Sequence, residues 1–593
     1  MQRSKKRKRM ENMKKGLGRE KQQILFAAVV AVLFAVFAAR ALFSMPLDDE
    51  LCYLAALKRY LQGDRFLLDD WHPPTQLSTW PIFQLVRWIP GFQINVLQAR
   101  IVYLCVHFAS GMVIWRLLKD RKGILWMVFV YLCFTPYNIT ALSYNTMAIA
   151  VFFILIAFCL SRRQWRRRDY VLCGFLLCLS MFSNPYLFLV YPVYLAVCVV
   201  RRCRKREQEG LFSCAGIVWV TCGALILGGA FLISLIGKGS FDEYLYNVRM
   251  ILNDAERKAN PLVKLLKSQW QIFRVYWRCS VVLICAYAVT ILKRKTLDEK
   301  WRKYLFGISV IFTVYAVLRF AFIYGSVANN LMMVPLFYLG VEIFLLTVCG
   351  NTDCARREEA GQQISAPESE AVSSIKSEFA ALAFGYLFAV CNFLGTNTEI
   401  LSMSAMFVIP SGITVLMLCE YRGLISGEKT PHVQSILSYG AVAVFAFCVL
   451  WLRLFFTWFD APLWELDTKM LQGPCRGIYT TAETADEYQE LLSAIDLCGI
   501  TSRDKVLFLP ISALPLVYSE GEIAVPYVTR FAVDSSELIE YYESHSDKIP
   551  TKIIITDCEN GGYFGEEEKT AEYFLARGYQ VRIVTDQVVM LYQ

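Results

Sequence analysis

Histidine is nearly missing from this chain, with four in 593 residues. No two of its 20 cysteines stand at the CxxC spacing of a metal pair. Together these shortages argue against a zinc-type centre, whose ligands come as close Cys or His pairs. The cysteines lie mostly inside apolar stretches, where a thiol packs as a small hydrophobe. Cys475 and Cys498 could pair if their region faces an oxidising space, and Cys558 would then be left over. No internal repeat is present, which counts against a repeat-built transporter. The first apolar run has no clear small-residue cleavage site and outlasts the core of a signal peptide, about 7–15 residues. It is expected to stay as a membrane helix.

What is there is hydrophobic sequence: 56% of residues, with a mean hydropathy of +0.40. A bilayer crossing needs about 20 apolar residues. About thirteen such runs are expected. They fall at 23–44, 96–117, 123–139, 141–160, 170–184, 186–200, 213–237, 275–292, 304–324, 330–349, 379–396, 400–419 and 436–457. This pattern excludes a large soluble enzyme and predicts a polytopic α-helical membrane protein.

Loop charges set the topology. The tail Arg3–Arg9 precedes the first span, so it reads as a topology determinant and no nucleic-acid partner is expected. Lys119–Lys122, Arg162–Arg168, Arg201–Arg206 and Lys293–Lys295 then share one side. The positive-inside rule places the tail (1–22) and these loops in the cytoplasm of a plasma membrane. Long outer loops are expected at 46–95 and 238–271, and a polar inner loop at 350–378. In the first outer loop, Leu54, Leu57, Tyr60 and Leu61 recur at helical spacing, which predicts an amphipathic helix at the interface. Trp71, Trp80 and Trp88 fit a headgroup belt. The spans and their loops make up 23–457.

After Trp458 the composition turns soluble. Strands are predicted at Val506–Leu509, Ile553–Ile555, Val581–Val584 and Val588–Leu591, and helices at Ala485–Leu497 and Glu567–Leu575. This alternation predicts a small C-terminal α/β domain at 458–593, on the extracytoplasmic side.

Asp48, Asp49 and Glu50 follow the first span directly. Clustered carboxylates raise one another's pKa, bind a cation or face cationic partners. One of them could act as a general base, or hold a divalent ion against phosphate. A solvated loop or a helix N-cap is the plainer reading. Arg319 sits inside a span about one turn from its outer end, where a guanidinium faces a cavity, pairs with phosphate or snorkels. In the second loop, Arg249 or Lys258 could reach a phosphate. His72 precedes Pro73-Pro74 and is therefore held extended, where it could contact an anionic donor.

Together these residues resemble the GT-C glycosyltransferases, the class of protein O-mannosyltransferases and lipid A aminoarabinose transferases. Asp49-Glu50 matches the family's Asp-Glu pair after the first span. Trp71-His72-Pro73-Pro74 is similar to its His-Pro-Pro element, and the layout of spans with an outer C-terminal domain is similar too. The resemblance implies a polyprenyl-phosphate-sugar donor and a lipid, glycan or protein acceptor at the outer face. It implies Asp49 as general base, with Glu50 or Asp48 orienting it or helping to hold Mg or Mn, and His72 near the donor. Positive charge for the leaving phosphate would come from Arg319, Arg249 or a metal. Two positions depart from the family. Asn145 stands where relatives carry an acid, so it can bind substrate but cannot act as a base, and Asn184 stands where they often carry lysine. The Trp-Trp-Asp signature of oligosaccharyltransferases is absent. A transporter or flippase for lipid-linked glycans, or a non-catalytic assembly component, is the alternative reading.

Overall fold

The computed structural model describes residues 23–46, 48–71, 88, 94–204, 210–252, 261–293, 298–359, 366–395, 399–425, 432–457, 460–528, 535–556 and 566–593. The side chains of Asp48 and Asp49 fall outside this description, as do all of His72, Lys258 and Trp80.

The first half of the helical part runs α1 (Gln23–Arg40), α2 (Asp48–Leu61), α3 (Val96–Leu118), α4 (Ile124–Cys133), α5 (Tyr144–Ser161), α6 (Arg167–Ser183), α7 (Val190–Cys203) and α8 (Cys214–Leu235). It continues with α9 (Phe241–Leu252), α10 (Pro261–Val275), α11 (Trp277–Leu292), α12 (Glu299–Ile323), α13 (Val334–Glu359), α14 (Ala366–Leu394), α15 (Glu399–Ala405), α16 (Val408–Ile425) and α17 (His432–Phe455). Among the described residues ten helices are long and apolar enough to cross a membrane, or eleven if α10 and α11 count as one broken span. The chain is a membrane-embedded helical protein. Three of the thirteen predicted spans are shorter helices: α4 has 10 residues, α6 has 17 and α11 has 16.

Local sequence explains where the helices start. Asn95 caps α3 by accepting from Gln98 N at 2.8 Å. Ser143 and Thr146 form a reciprocal capping box at the head of α5. Helices α6 and α8 pack backbone to backbone. A Cβ on Gly174 would lie 1.8 Å from the Val220 carbonyl oxygen, and one on Gly223 would lie 1.9 Å from that of Val171. Small residues of this kind let membrane helices approach closely.

The C-terminal region holds a two-stranded pair, β1 (Thr468–Lys469) and β2 (Tyr479–Thr480), then α18 (Ala482–Leu497), β3 (Lys505–Leu509), α19 (Ala513–Tyr518) and β4 (Glu522–Ile523). It ends with α20 (Ser535–Ser544), β5 (Lys552–Thr556), α21 (Glu566–Leu575), β6 (Gln580–Thr585) and β7 (Val588–Tyr592). Five strands form one sheet in the order β4-β3-β5-β7-β6. β3 is parallel to β4 and β5, whereas β7 is antiparallel to β5 and β6. β3 and β5 are runs of buried Val, Leu, Phe and Ile, as expected for strands covered on both faces. All four predicted strands and both predicted helices are present. Cys475 and Cys498 are both buried and free, so no disulfide joins them.

Helix α2 forms where the spacing predicts it, but it does not lie on the membrane surface. Leu54 and Leu57 are each 1% exposed, and the helix packs against α19. Lys58 Nζ donates to the Leu516 carbonyl at 2.7 Å and also to that of Ser519, capping the end of α19. Arg59 bonds Asp64, the Asp69 carbonyl and Tyr541 Oη. Lys548 joins Asp64 to Glu522. Trp71 is likewise buried, donating from Nε1 to Asn247 Oδ1 at 2.7 Å and from its backbone N to the Pro526 carbonyl at 2.8 Å. The described residues 48–71 of the first loop thus join the bundle to the sheet region. Trp88 is exposed.

Candidate anion-binding cleft

The sheet region docks at one end of the bundle. There α1 ends at Arg40, α2 begins, α3 begins with Val96 N bonded to the Pro474 carbonyl, and α17 ends. The basic clusters gather at the opposite end. Lys119 caps the far end of α3, Arg162 that of α5, and Lys293 that of α11. Arg121 and Arg163 reach α14 there, pairing with Glu378 and Glu370.

A narrow cleft with an inner volume of about 20 Å³, partly open to solvent, lies at the sheet-facing end. Three arginines, one from each of three helices, line it with one carboxylate: Arg40, Arg100 and Arg453 around Glu50. All four are buried. Arg100 donates from Nε to Glu50 Oε2 at 2.8 Å, and to the carbonyls of Ala41, Phe43 and Ser44 at 3.0–3.1 Å. It therefore closes off the frayed end of α1 while holding the first turn of α2. The other Glu50 oxygen accepts from Thr140 N at 3.1 Å. Arg453 donates to the Asn138 carbonyl at 2.8 Å and to Thr140 Oγ1 at 2.7 Å. Arg40 donates from Nε to the Leu454 carbonyl at 2.8 Å and from Nη1 to the Phe43 carbonyl at 3.0 Å. Its second amino group makes no hydrogen bond among the described residues.

The wall opposite α2 is strained. Tyr137 and Asn138 both have positive φ, 57° and 59°, although neither is glycine. Their environment enforces this shape. Tyr137 N donates to Asn330 Oδ1 at 2.9 Å, while Asn138 accepts from Asn329 Nδ2 at 2.7 Å and donates to the carbonyls of Leu452 and Phe456. Strain held this firmly is characteristic of functional sites. The lining carries three positive charges against one, and nearby Asp460, bonded to Met45 N at 2.6 Å, offsets one more. Among the described side chains the lining is net positive, which suits an anion. Planar guanidinium groups suit phosphate in particular.

The sequence-predicted residues separate. Asp48, Asp49 and Glu50 form the first turn of α2 beside the cleft, and Glu50 lines it. Arg319 sits half-buried on α12, outside the lining, with no ion pair or hydrogen bond among the described residues. Arg249 is exposed on α9. Asn145 is buried in the bundle and accepts from Asn392 Nδ2 at 3.2 Å, while Asn392 in turn accepts from Asn184. His72 and Lys258 lie outside the described residues. Among the described residues no group of three or more His, Cys, Asp or Glu could hold a metal ion, and both Glu50 oxygens are already used. The three cleft arginines were overlooked in the sequence. Arginine in a span needs a partner or a cavity, and this holds for Arg40, Arg100 and Arg453 as it does for Arg319.

A family model described as a domain of unknown function (DUF6311) matches residues 81–344, less than half of the chain. No curated protein matches. Among solved structures the chain is similar to the archaeal oligosaccharyltransferase AglB from Archaeoglobus fulgidus, in complex with an inhibitory peptide and a dolichol-phosphate. Identity is 10% and the TM-score 0.40, over 90% of this chain and 70% of that one.

Proposed function

We propose that the protein is a membrane glycosyltransferase of GT-C type that takes its sugar from a polyprenyl-phosphate donor and passes it to a lipid, glycan or protein acceptor. The observation that supports this reading is the group of three buried arginines around Glu50 at the head of α2. A phosphate that gains charge as the glycosidic bond breaks needs fixed positive charge in a place that excludes water. Arg40, whose second amino group makes no hydrogen bond among the described residues, is the best placed to bind it. Arg100 and Arg453 are tied to backbone and to Glu50, so they supply a preorganised field.

Asp49 is the proposed general base, deprotonating the acceptor beside the cleft, and Glu50 holds the head of α2 against Arg100. Substrate roles for Arg319, Arg249, Asn145, His72 and Lys258 remain proposals of lower rank, because the described ones do not line the cleft. A Mg or Mn ion would need oxygen ligands beyond Glu50, and no step is assigned to one. With the basic clusters cytoplasmic, the cleft and the sheet region face outward from a plasma membrane.

The test is sugar transfer by purified protein in nanodiscs, from a panel of radiolabelled polyprenyl-phosphate sugars, with membrane lipid, glycan and protein as acceptors. Transfer is expected to vanish in Asp49→Asn, and in Arg40→Gln donor affinity should fall at least tenfold, about the weight of one charge-assisted bond. No transfer from any donor by folded protein would overturn the assignment and favour a transporter or assembly role.

A further inference from the structure

The turn from α8 into α9 is closed by its own sequence. Gly237, with φ of 89°, reverses the chain. A Cβ on Gly239 would lie 2.6 Å from Leu68 Cδ2, so only glycine lets the turn press against the first loop. Arg65 fastens it there, donating to the Lys238 carbonyl at 3.0 Å. Ser240 and Glu243 then start α9 with a reciprocal cap. Ser240 N donates to Glu243 Oε2 at 2.7 Å, and Glu243 N to Ser240 Oγ at 3.2 Å.

One face of α9 is docked on protein. Buried Asn247 donates to the carbonyls of Leu67 and Leu68, each at 2.9 Å, and Tyr246 Oη donates to Glu540 of α20 at 2.6 Å. The opposite face carries Phe241, Leu245 and Val248 at i, i+4 and i+7, exposed by 76%, 53% and 39% among the described residues. At one border of that stripe, Tyr244 Oη donates to the Leu235 carbonyl in the last turn of α8 at 3.0 Å. At the other border stand Asp242 and Arg249, both exposed. The stripe therefore adjoins the end of α8. Beyond Gly223 none of the described residues of that span is buried, and Leu232, Ile233 and, just past the helix, Ile236 are largely exposed. A bare apolar surface on a span is a surface covered by lipid, and the stripe of α9 prolongs it past the span's end.

We infer that α9 is an interfacial helix seated on the bilayer at its sheet-facing side. Phe241, Leu245 and Val248 insert between headgroups and acyl chains, and Asp242 and Arg249 meet water and headgroups. Apolar area drives this seating, so it needs no particular headgroup. Through Asn247 and Tyr246 the same helix holds the first loop and the sheet region at the membrane surface. The inference rests on the exposed stripe and its junction with α8, not on glycosyl transfer.

The full chain in phosphatidylcholine nanodiscs would carry a photo-crosslinking amino acid at position 245, at 242 on the polar border, or at 232 in the span. Lipid adducts are expected at 245 and 232, with their loss at 242. Adducts at 232 with none at 245 would overturn the seating. So would equal lipid adducts at 242 and 245, or adducts at 245 to protein, which would mean that a second copy covers the stripe. No readout depends on sugar transfer, so a failed transfer assay leaves this inference standing.

Discussion

Two amphipathic helices, α2 and α10, look alike in one dimension and have opposite fates. Both carry an apolar stripe at helical spacing, and both place lysine beside it. In α2, Leu54 and Leu57 are buried where the helix packs on α19 of the sheet region, and Lys58 is turned inward to cap that helix. In α10 (Pro261–Val275) the stripe of Val263, Leu266 and Trp270 is exposed among the described residues. Amphipathicity states that a face must be covered. It does not state by what, because sheet and lipid satisfy the same apolar area equally well.

Substitutions can break or sharpen that contrast. The largest effect is expected at the head of α2. Arg100→Leu leaves Glu50 buried without its cation and frees the end of α1, and should cost about 3–5 kcal/mol, read as a lowered unfolding temperature in detergent. Glu50→Gln keeps the shape and should cost less, so equal losses would show that the ion pair is not what holds the turn. Next, Leu57→Ala in α2 removes a fully buried side chain and should cost about 2–5 kcal/mol. The matching change in α10, Leu266→Ala, should stay within about 0.5 kcal/mol in detergent. Similar losses at the two positions would erase the contrast.

A subtler difference is pH dependence at the α2 junction. Burial, partly offset by Arg59, pushes the Asp70 carboxyl up from 3.8 to about 6. The unfolded chain gives up this proton first, so the folded form is favoured most below pH 3.8 and loses that advantage as pH rises through about 6. Melting between pH 4 and 7 should therefore fall by the equivalent of about 1–2 kcal/mol, and Asp70→Asn should flatten the slope. An unchanged slope in the variant would assign it to another group.

The fold was more legible in the sequence than the site. Strands such as Val506–Leu509 and Ile553–Ile555 announce themselves because a strand buried on both faces has few other compositions. The thirteen apolar runs are all helical, though α4, α6 and α11 are shorter than a crossing requires. Glu50 was legible because it follows the first span directly. Its partners were not, since Arg40, Arg100, Thr140 and Arg453 come from segments up to 413 residues apart that only packing brings together. The contact of Asn145 was hidden for the same reason: its Oδ1 accepts from Asn392, 247 residues further along the chain.

Sequence alone determined that the chain enters a membrane, that its basic loops gather at one end, and that a small region of alternating strands and helices follows the last span. Those properties are sums over neighbouring residues, and hydropathy, charge and periodicity record such sums. Tertiary structure alone decided which arginines share a cleft, that α2 faces protein while the stripe of α10 is exposed among the described residues, and that α10 and α11 meet at 97°. Those depend on side chains meeting across hundreds of residues, where close packing and the high cost of an unpaired buried charge choose the partner.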